Sequence, residues 1–578
     1  MNKIRRRIQW CTSAAMVAMC LGCRRAEPVS PPPAPPPSAA AAKTQPWFER
    51  IPESSGFDFV HRSGHREKFL FPEIETGGVG LIDYDQDGLL DILCIDGGSV
   101  DPSHPASPRH RLYHNLGNWK FVDVTTSAGL VCSKGYGMGC AVGDFDGDGW
   151  PDIYITQLGS NRLFHNNRNG TFTDVTEPAA VAFRSWSTSA AFLDYDGDGK
   201  MDLAVVNYVR WSPERETECF SAGGRRDYCS PLNYHAPAPM VLFHNRGNGT
   251  FEDATEKAGL LTAYGNGFGI AVGDFDHDGR LDMYIANDAT PNQLWLNRGD
   301  GTFLDDAMLR GCALNSMGVP RAGMGVVAID LLQTGWLDLY VTHLVGEANG
   351  LFRNQSGSFL DAVMPKGPMA GSTAYTGFGV GFGDFDNDGQ ADLYVANGRV
   401  RLGGRIWSPE DPYAEPNTLR RGLGQGQFEE VLPIGGTDPV LLKTSRGLAI
   451  GDLDNDGLLD LVIVNRDGPA DLLRNRVPKS NHWLGLRVMD HQQCVAVHAV
   501  VLIESGRKRQ WAQCQPNQGY CSSQDPRVHF GLGQETRVDH VWVRWPNGQS
   551  EEFGPTVANA YITVQQGAGH PAPGIFSW

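Results

Sequence analysis

The sequence predicts an all-β protein: a seven-bladed β-propeller followed by a small β-sandwich-like domain. Three observations predict it. An acidic nine-residue loop recurs along most of the chain. Short apolar runs flank each copy, and a hairpin with Asn-Gly or Asp-Gly at its tip follows several of them.

In the copy Asp274-Phe275-Asp276-His277-Asp278-Gly279-Arg280-Leu281-Asp282, carboxylates stand at positions 1, 3, 5 and 9 and Gly at position 6. Side chains at 1, 3 and 5 of a tight loop point inward, and Gly makes the sharp turn. A carbonyl at 7 and the closing carboxylate at 9 complete an oxygen shell suited to a hard divalent cation. The pattern returns at Asp83, Asp85, Asp87, Asp91; at Asp144, Asp146, Asp148, Asp152; and at Asp194, Asp196, Asp198, Asp202. It appears again at Asp384, Asp386, Asp388, Asp392 and at Asp452, Asp454, Asp456, Asp460. A seventh copy, Asp330 to Asp338, keeps Gly335 and the outer Asp but has Leu332 and Thr334 at positions 3 and 5.

Turns are often rich in Asp and Gly, but chance does not keep positions 1, 3, 5, 6 and 9 together in six copies. A spacing of roughly 50 to 80 residues marks an internal repeat. An EF-hand is excluded because its last ligand sits at position 12. The expectation is about six Ca²⁺ sites, with affinities of roughly 10⁻⁴ to 10⁻³ M as in extracellular modules. Without a cation, the four carboxylates are expected to repel one another and gain nothing.

Before the loops come Gly-rich apolar runs such as Gly267 to Gly273 and Gly377 to Gly383; after them come Met283 to Ala286, Leu393 to Ala396 and Leu461 to Val464. Such runs, bounded by turns, read as buried strands. The acidic loop is then the turn of one hairpin. A second hairpin follows, as in Leu163-Phe164-His165-Asn166 through Asn169-Gly170 to Val175. Four strands per repeat and seven repeats give a propeller. The last repeat lacks a fourth strand. The segment Phe48 to Gly56 lines up with Phe121 to Gly129, the fourth strand of the first repeat, and is expected to close the ring and remove its open edge.

Residues 1–23 read as a targeting segment. Lys3, Arg5, Arg6 and Arg7 precede the apolar stretch Ile8 to Leu21, and Leu21-Gly22-Cys23 ends it. Gly before Cys resembles a bacterial lipoprotein signal with Cys23 lipidated, although Cys20 stands where Leu is usual; plain secretion is the alternative. Residues 24–46 form a Pro/Ala-rich linker, a stiff spacer. The propeller is expected over 47–478, with an insertion from Asn207 to Pro239 in the third repeat. A second domain is expected over 479–566, from the strand signals Trp483 to Val488, Ala499 to Ile503, Val541 to Trp545 and Tyr561 to Val564. Residues 567–578 carry no periodic signal.

The formal charge of −17 excludes a nucleic-acid binder. Without the leader it becomes about −21, and six divalent cations bring it to about −9, so the acidity is largely a metal requirement. Of the 12 Cys, Cys219 with Cys229, Cys514 with Cys521, and Cys132 with Cys140 are expected to pair in an exported protein. Zinc is not expected, because no Cys-x-x-Cys with His occurs at ligand spacing.

The repeats resemble FG-GAP/VCBS repeats, which build integrin α-subunit propellers and place calcium in hairpin loops. The C-terminal stretches Ser480 to Leu486, Gly519 to Gln524, Val528 to Gly533 and Val543 to Gly548 are similar to the ASPIC/UnbV domain. Their order is that of the cartilage acidic protein family; His491 to His498 depart from its pattern. The resemblance implies the propeller fold and bound calcium.

No catalytic constellation stands out. Gly135 to Gly139 precede a strand, not a helix, so they are a poor phosphate cradle. His114, His165 and His244 share a position held by Leu296, Arg353 and Arg474 in other repeats, so they read as strand-end residues. His61 and His65 read as ordinary loop residues. The expected function is an extracytoplasmic, calcium-binding, non-catalytic binding or adhesion module for a protein or glycan, with possible membrane anchoring through Cys23. The alternative is an enzyme acting on an extracellular polymer or metabolite, its site in the propeller channel or the third-blade insertion.

Overall fold

The structure, a computed structural model, describes residues 45–576. The targeting segment, Cys23 and the linker up to residue 44 lie outside the described residues. Among the described residues, no helix is long and apolar enough to cross a membrane.

Seven antiparallel four-stranded meanders form the ring. Blade 4 shows the plan: Gly267–Gly273 innermost, then Asp282–Asn287, Gln293–Asn297 and Phe303–Asp305 outermost. The innermost strands are Val79–Ile82, Tyr136–Gly143, Arg184–Leu193, Gly267–Gly273, Val326–Ile329, Gly377–Gly383 and Ser445–Gly451. Each touches the next, and the last touches the first. Blade faces are apolar on both sides because each is sandwiched: Ala191, Leu193, Ala204 and Val206 of blade 3 pack on Ile270, Val272, Met283 and Ile285 of blade 4. The ring closes as the sequence implied. Phe48–Arg50 pairs antiparallel with the third strand of blade 7, Phe48 opposite Asn475 and Arg50 opposite Leu473.

The C-terminal part is two small sheets face to face. His482–Met489 pairs with Val528–Gly533 and, in parallel, with Ala560–Gln565. Val500–Ser505 pairs with Lys508–Gln513 and His540–Arg544, extended by Ser550–Phe553. Leu484, Leu486, Val501, Ile503, Val541, Val543 and Trp545 fill the space between. The tail without periodic signal contributes His570–Pro571, a two-residue edge on Ser550–Phe553. A strand that short leaves no period to read.

One segment of this domain, residues 515–524, enters the ring and satisfies its innermost edges. Ser522–Ser523 pairs in parallel with Val79–Ile82. Gly519 exchanges backbone hydrogen bonds with Val326. Asn517 accepts from the Phe192 N–H and donates to the Val142 carbonyl; Gln524 does the same for Ile450 and Leu448; Gln515 donates to Val272. The inner strands are Gly-rich where the segment presses on them. A Cβ on Gly78 would lie 2.2 Å from the Cys521 carbonyl oxygen, and one on Gly139 would lie 2.7 Å from the Cys521 Cα. Only Gly permits that approach.

An aromatic plug fills the channel beside this segment. Tyr520, Phe268, Phe378, Tyr208, Phe71 and Trp186 are buried together. Much of the third-blade insertion joins this packing: Tyr208, Trp211, Tyr228 and Tyr234 are buried, and Tyr234 stacks on Phe71. His65 belongs there too, its Nδ1 lying 2.7 Å from Glu73 Oε2 and 2.8 Å from the Tyr228 hydroxyl. His61 is buried beside Thr76. Arg446, fully buried, donates through Nε to the Ile74 carbonyl and stacks on Phe378.

Of the expected disulfides, Cys219–Cys229 forms, with S–S 2.04 Å. The other two do not. Cys132, Cys140, Cys514 and Cys521 are free and buried. Sequence proximity misled here: Cys521 lies in the channel against blade 2, whereas Cys514 lies near Pro526.

Two outcomes follow. A chain beginning at Ile51 loses the closing strand, and its thermal midpoint should fall by several degrees, measured by calorimetry against a chain beginning at Gln45. Burial pushes the Glu75 carboxyl up to about 8, against the opposing pull of Arg446, and its Oε2 has no hydrogen-bond partner. The stability from holding that proton is full below the ordinary carboxylate range and is lost as pH rises towards 8. Glu75→Gln should therefore flatten the decline in denaturation midpoint between pH 5 and 8, read at constant saturating divalent cation.

Candidate metal centres

Each acidic loop joins the innermost strand of a blade to the second, and its closing Asp is the first residue of that second strand. The turn needs left-handed backbone at position 6: φ is 92° at Gly88, 87° at Gly149 and 83° at Gly199. A Cβ on Gly199 or Gly279 would meet nothing within 4 Å, so Gly is there for its backbone.

The loops are stitched by their own carboxylates. Position 1 accepts the N–H of the Gly at 6, as in Gly149 to Asp144 Oδ2 at 2.7 Å and Gly457 to Asp452 Oδ2 at 2.8 Å. Position 5 accepts the N–H of residue 7, as in Trp150 to Asp148 at 2.8 Å. The closing Asp is held on both oxygens. For Asp152, Oδ2 takes the Phe145 N–H at 3.1 Å and Oδ1 takes the Asn166 N–H at 2.7 Å. The same pair of bonds holds Asp91, Asp202, Asp282, Asp392 and Asp460. Carboxylates expected to gain nothing without a cation therefore gain backbone hydrogen bonds. The sequence hid this because the donors are main-chain groups, one of them on another strand.

Position 3 is the least committed, and Asp276 Oδ1 and Asp454 Oδ1 are buried with no hydrogen-bond partner. Carboxylate oxygens of Asp83, Asp85 and Asp87 lie within 4.8 Å of one another, as do those of Asp144, Asp146 and Asp152. Burial raises the Asp91 and Asp152 carboxyls to about 7 and Asp202 to about 8. Backbone bonds leave that cost uncompensated, and a divalent cation is the counter-charge that fits.

The third strand meets the loop at two successive positions. The first holds His114, His165 and His244 in blades 1 to 3, and Arg353, Arg421 and Arg474 in blades 5 to 7. These are not merely strand ends. Each faces the loop carboxylates: His165 Nδ1 lies 3.3 Å from Asp146 and 3.4 Å from Asp152, and Arg421 Nε lies 2.7 Å from Asp386. The next position is Asn in six blades, and its Nδ2 spans two blades. Asn166 donates to Pro151 O in its own blade and Tyr84 O in blade 1. Asn115, Asn245, Asn297, Asn354 and Asn475 repeat this. The signal for them was the recurrence of Asn at one place in the repeat.

Residues 83–155, 144–205, 224–285, 274–341 and 330–395 match FG-GAP-like repeats, and residues 490–571 match ASPIC and UnbV. The chain belongs to the FG-GAP-like repeat family. Four of the five repeat matches begin on the first Asp of a loop. The chain is 25% identical to cartilage acidic protein 1 of Homo sapiens over 550 residues, covering 87% of this chain and 74% of that protein. It is 27% identical to the Xenopus tropicalis protein of the same name over 512 residues, covering 82% and 70%. Among solved structures it is similar to Saccharomyces cerevisiae Sqt1 (TM-score 0.38, 9% identity, 73% of this chain and 98% of that one). It is also similar to an Agrocybe aegerita lectin that recognises non-reducing terminal N-acetylglucosamine (TM-score 0.37, 16% identity, 69% and 94%). Those scores say nothing of function.

The ASPIC/UnbV segment sits on the face that carries the FG-GAP loops. A Cβ on Gly531 would fall 1.9 Å from Asp384 Oδ2, and one on Gly457 would fall 1.9 Å from the Trp483 ring. The Tyr561 hydroxyl donates to Asp452 Oδ2 at 2.9 Å. The worn fifth loop is held as well, Trp511 Nε1 donating to Asp330 Oδ2 at 2.7 Å. Cavities lie under the domain. One of 590 Å³ borders Asp83, Asp144, Arg487 and Cys494; another, of 380 Å³, borders Asp194, Asp274, His498 and Arg544.

Asn166 is fully buried, and Asn166→Ala strands two carbonyls at a blade junction. The expected cost is about 2–6 kcal/mol, at about 1–3 kcal/mol per unsatisfied group, measured by urea denaturation.

Proposed function

We propose that the chain is an extracytoplasmic, calcium-binding, non-catalytic propeller that serves as a binding or adhesion module for a protein or glycan. The observation that carries this is the filled channel. An enzyme site in the channel or under the third-blade insertion needs open space, and here residues 515–524 and the aromatic plug occupy the channel, while much of the insertion is packed inward. Contact surface is left on the faces and the rim.

Calcium in the six intact loops is supported by oxygen-only ligand sets at positions 1, 3 and 5 and by buried closing carboxylates in need of counter-charge. Placement outside the cytoplasm is supported by the Cys219–Cys229 disulfide and the leader-like N-terminal sequence. Lipid attachment at Cys23 would hold the module at a membrane surface.

Affinity capture from envelope extract and a glycan array, each run in calcium and in EDTA, test the binding role. Calcium-dependent retention of a defined partner is expected. Turnover in a broad hydrolase and lyase screen, with no retained partner, would overturn it. Calcium should raise the melting temperature and EDTA lower it by several degrees. By equilibrium dialysis, Asp276→Ala should cost about one calcium equivalent, whereas Leu332→Ala in the worn loop should cost none.

A further inference from the structure

We infer that the outer edge of blades 4 and 5 is an interface on which a second copy of this chain docks, giving a two-fold dimer. The inference is independent of what fills the acidic loops.

The three most exposed large apolar side chains among the described residues lie here: Leu309 at 87%, Met317 at 83% and Val363 at 81%. Met308, Val319 and Leu360 join them at 63%, 52% and 55%. Hydrogen bonds gather the six along one strand. Met308 and Leu309 sit on the short helix Ala307–Arg310, which follows the outermost strand of blade 4. Arg310 Nη1 donates to the Gly357 carbonyl at 2.8 Å and so sets that helix at the head of Ser358–Asp361, the outermost strand of blade 5. Met317 and Val319 sit on a turn closed by Asn315, whose Oδ1 accepts both their N–H groups. The Ser316 N–H donates to Asp361 Oδ2 at 2.8 Å, which sets the turn at the other end of the strand, near Val363. Four strand residues span about 13 Å, so one interface reaches both ends.

The fold does not require apolar residues here. Counted from the buried Phe that opens each outermost strand, the positions of Met308 and Leu309 are Thr126 and Ser127 in blade 1. They are Glu177 and Pro178 in blade 2, and Glu256 and Lys257 in blade 3. All six are exposed. Single exposed apolar residues are ordinary, but a group of them marks a contact site.

Area and charge argue for what covers it. At those exposures the six residues offer on the order of 800 Å², about what each partner gives a standard interface. With a formal charge of −17, two copies repel one another over most of their surface. At this edge the charges are neutralised within the chain: Arg310 is tied to Asp306 at 2.9 Å, and Asp361 to Arg321 at 2.9 Å. A two-fold contact uses the same patch on both copies. An apolar patch with its flanking charges already paired is self-complementary, whereas a free charge near the axis would face its like.

The test is sedimentation velocity on residues 24–578, without lipid, over two decades of micromolar concentration in calcium. A concentration-dependent dimer is expected. Met308→Glu with Leu309→Lys installs the pair that blade 3 carries at these positions, and it should raise the dimer dissociation constant at least tenfold. Val363→Glu, past the other end of the strand, should do the same. Val557→Glu, at a residue 68% exposed in the second domain, should leave the dimer unchanged. Should circular dichroism show the double variant misfolded, Met317→Ser makes the same test. Raising salt from about 0.1 to about 0.5 M should not weaken the dimer, because the contact is apolar and screening removes net-charge repulsion. A chain that stays monomeric, a dimer that the patch variants leave intact, or one lost at high salt would overturn the inference. So would a monomer held through this patch by phosphatidylcholine vesicles, since the occupant would then be a lipid surface.

Discussion

The ring depends on one buried side chain repeated around it. Asn at the end of the third strand offers its main-chain N–H to the closing Asp and its amide to two carbonyls, one across the blade junction. Propeller blades otherwise meet through apolar faces, which resist separation but slide. The Asn amide is directional and buried, so it sets the offset of each blade on the next. It also explains why the closing Asp is first in its strand: only there can one carboxylate reach both the loop and the third strand.

The same economy governs the centre. Seven innermost strands present seven unpaired edges, a liability in any sheet protein. The ASPIC/UnbV segment meets most of them with a two-residue strand, the Gly519 backbone and three side-chain amides. That role accounts for the small residues of the inner strands, which have to let another backbone through. It also joins the two parts of the chain into one body, since the segment cannot leave without exposing those edges.

Much of this was legible in the sequence. The Asp-x-Asp-x-Asp-Gly loops, the flanking apolar runs and the likeness of Phe48–Gly56 to Phe121–Gly129 carried the fold, the blade number and the closure. They are local patterns or internal repeats, which a single chain displays. What was not legible depends on partners distant in the chain. Gly519 to Gln524 and Val528 to Gly533 were visible as motifs, but not that one fills the channel and the other lies flush on Asp384. His114, His165 and His244 were dismissed because their position also holds Leu and Arg. In three dimensions that variation grades what faces the carboxylates, from a ring nitrogen to a fixed charge.

Blade 5 shows how these devices substitute for one another. Its loop lacks the carboxylates at positions 3 and 5. The next blade lacks the Asn, because a side chain at Gly422 would collide with the Ala391 carbonyl 2.3 Å away. In the pattern of the other blades, that Asn would reach the Leu331 carbonyl, so the worn loop and the missing clasp fall at one junction. The ASPIC/UnbV segment meets the ring there with its own donors: Trp511 gives its indole N–H to Asp330 and its backbone N–H to Gln333 Oε1. Arg353 lies 3.0 Å from Asp338. The worn loop is thus held by a neighbouring domain and faced by an internal cation.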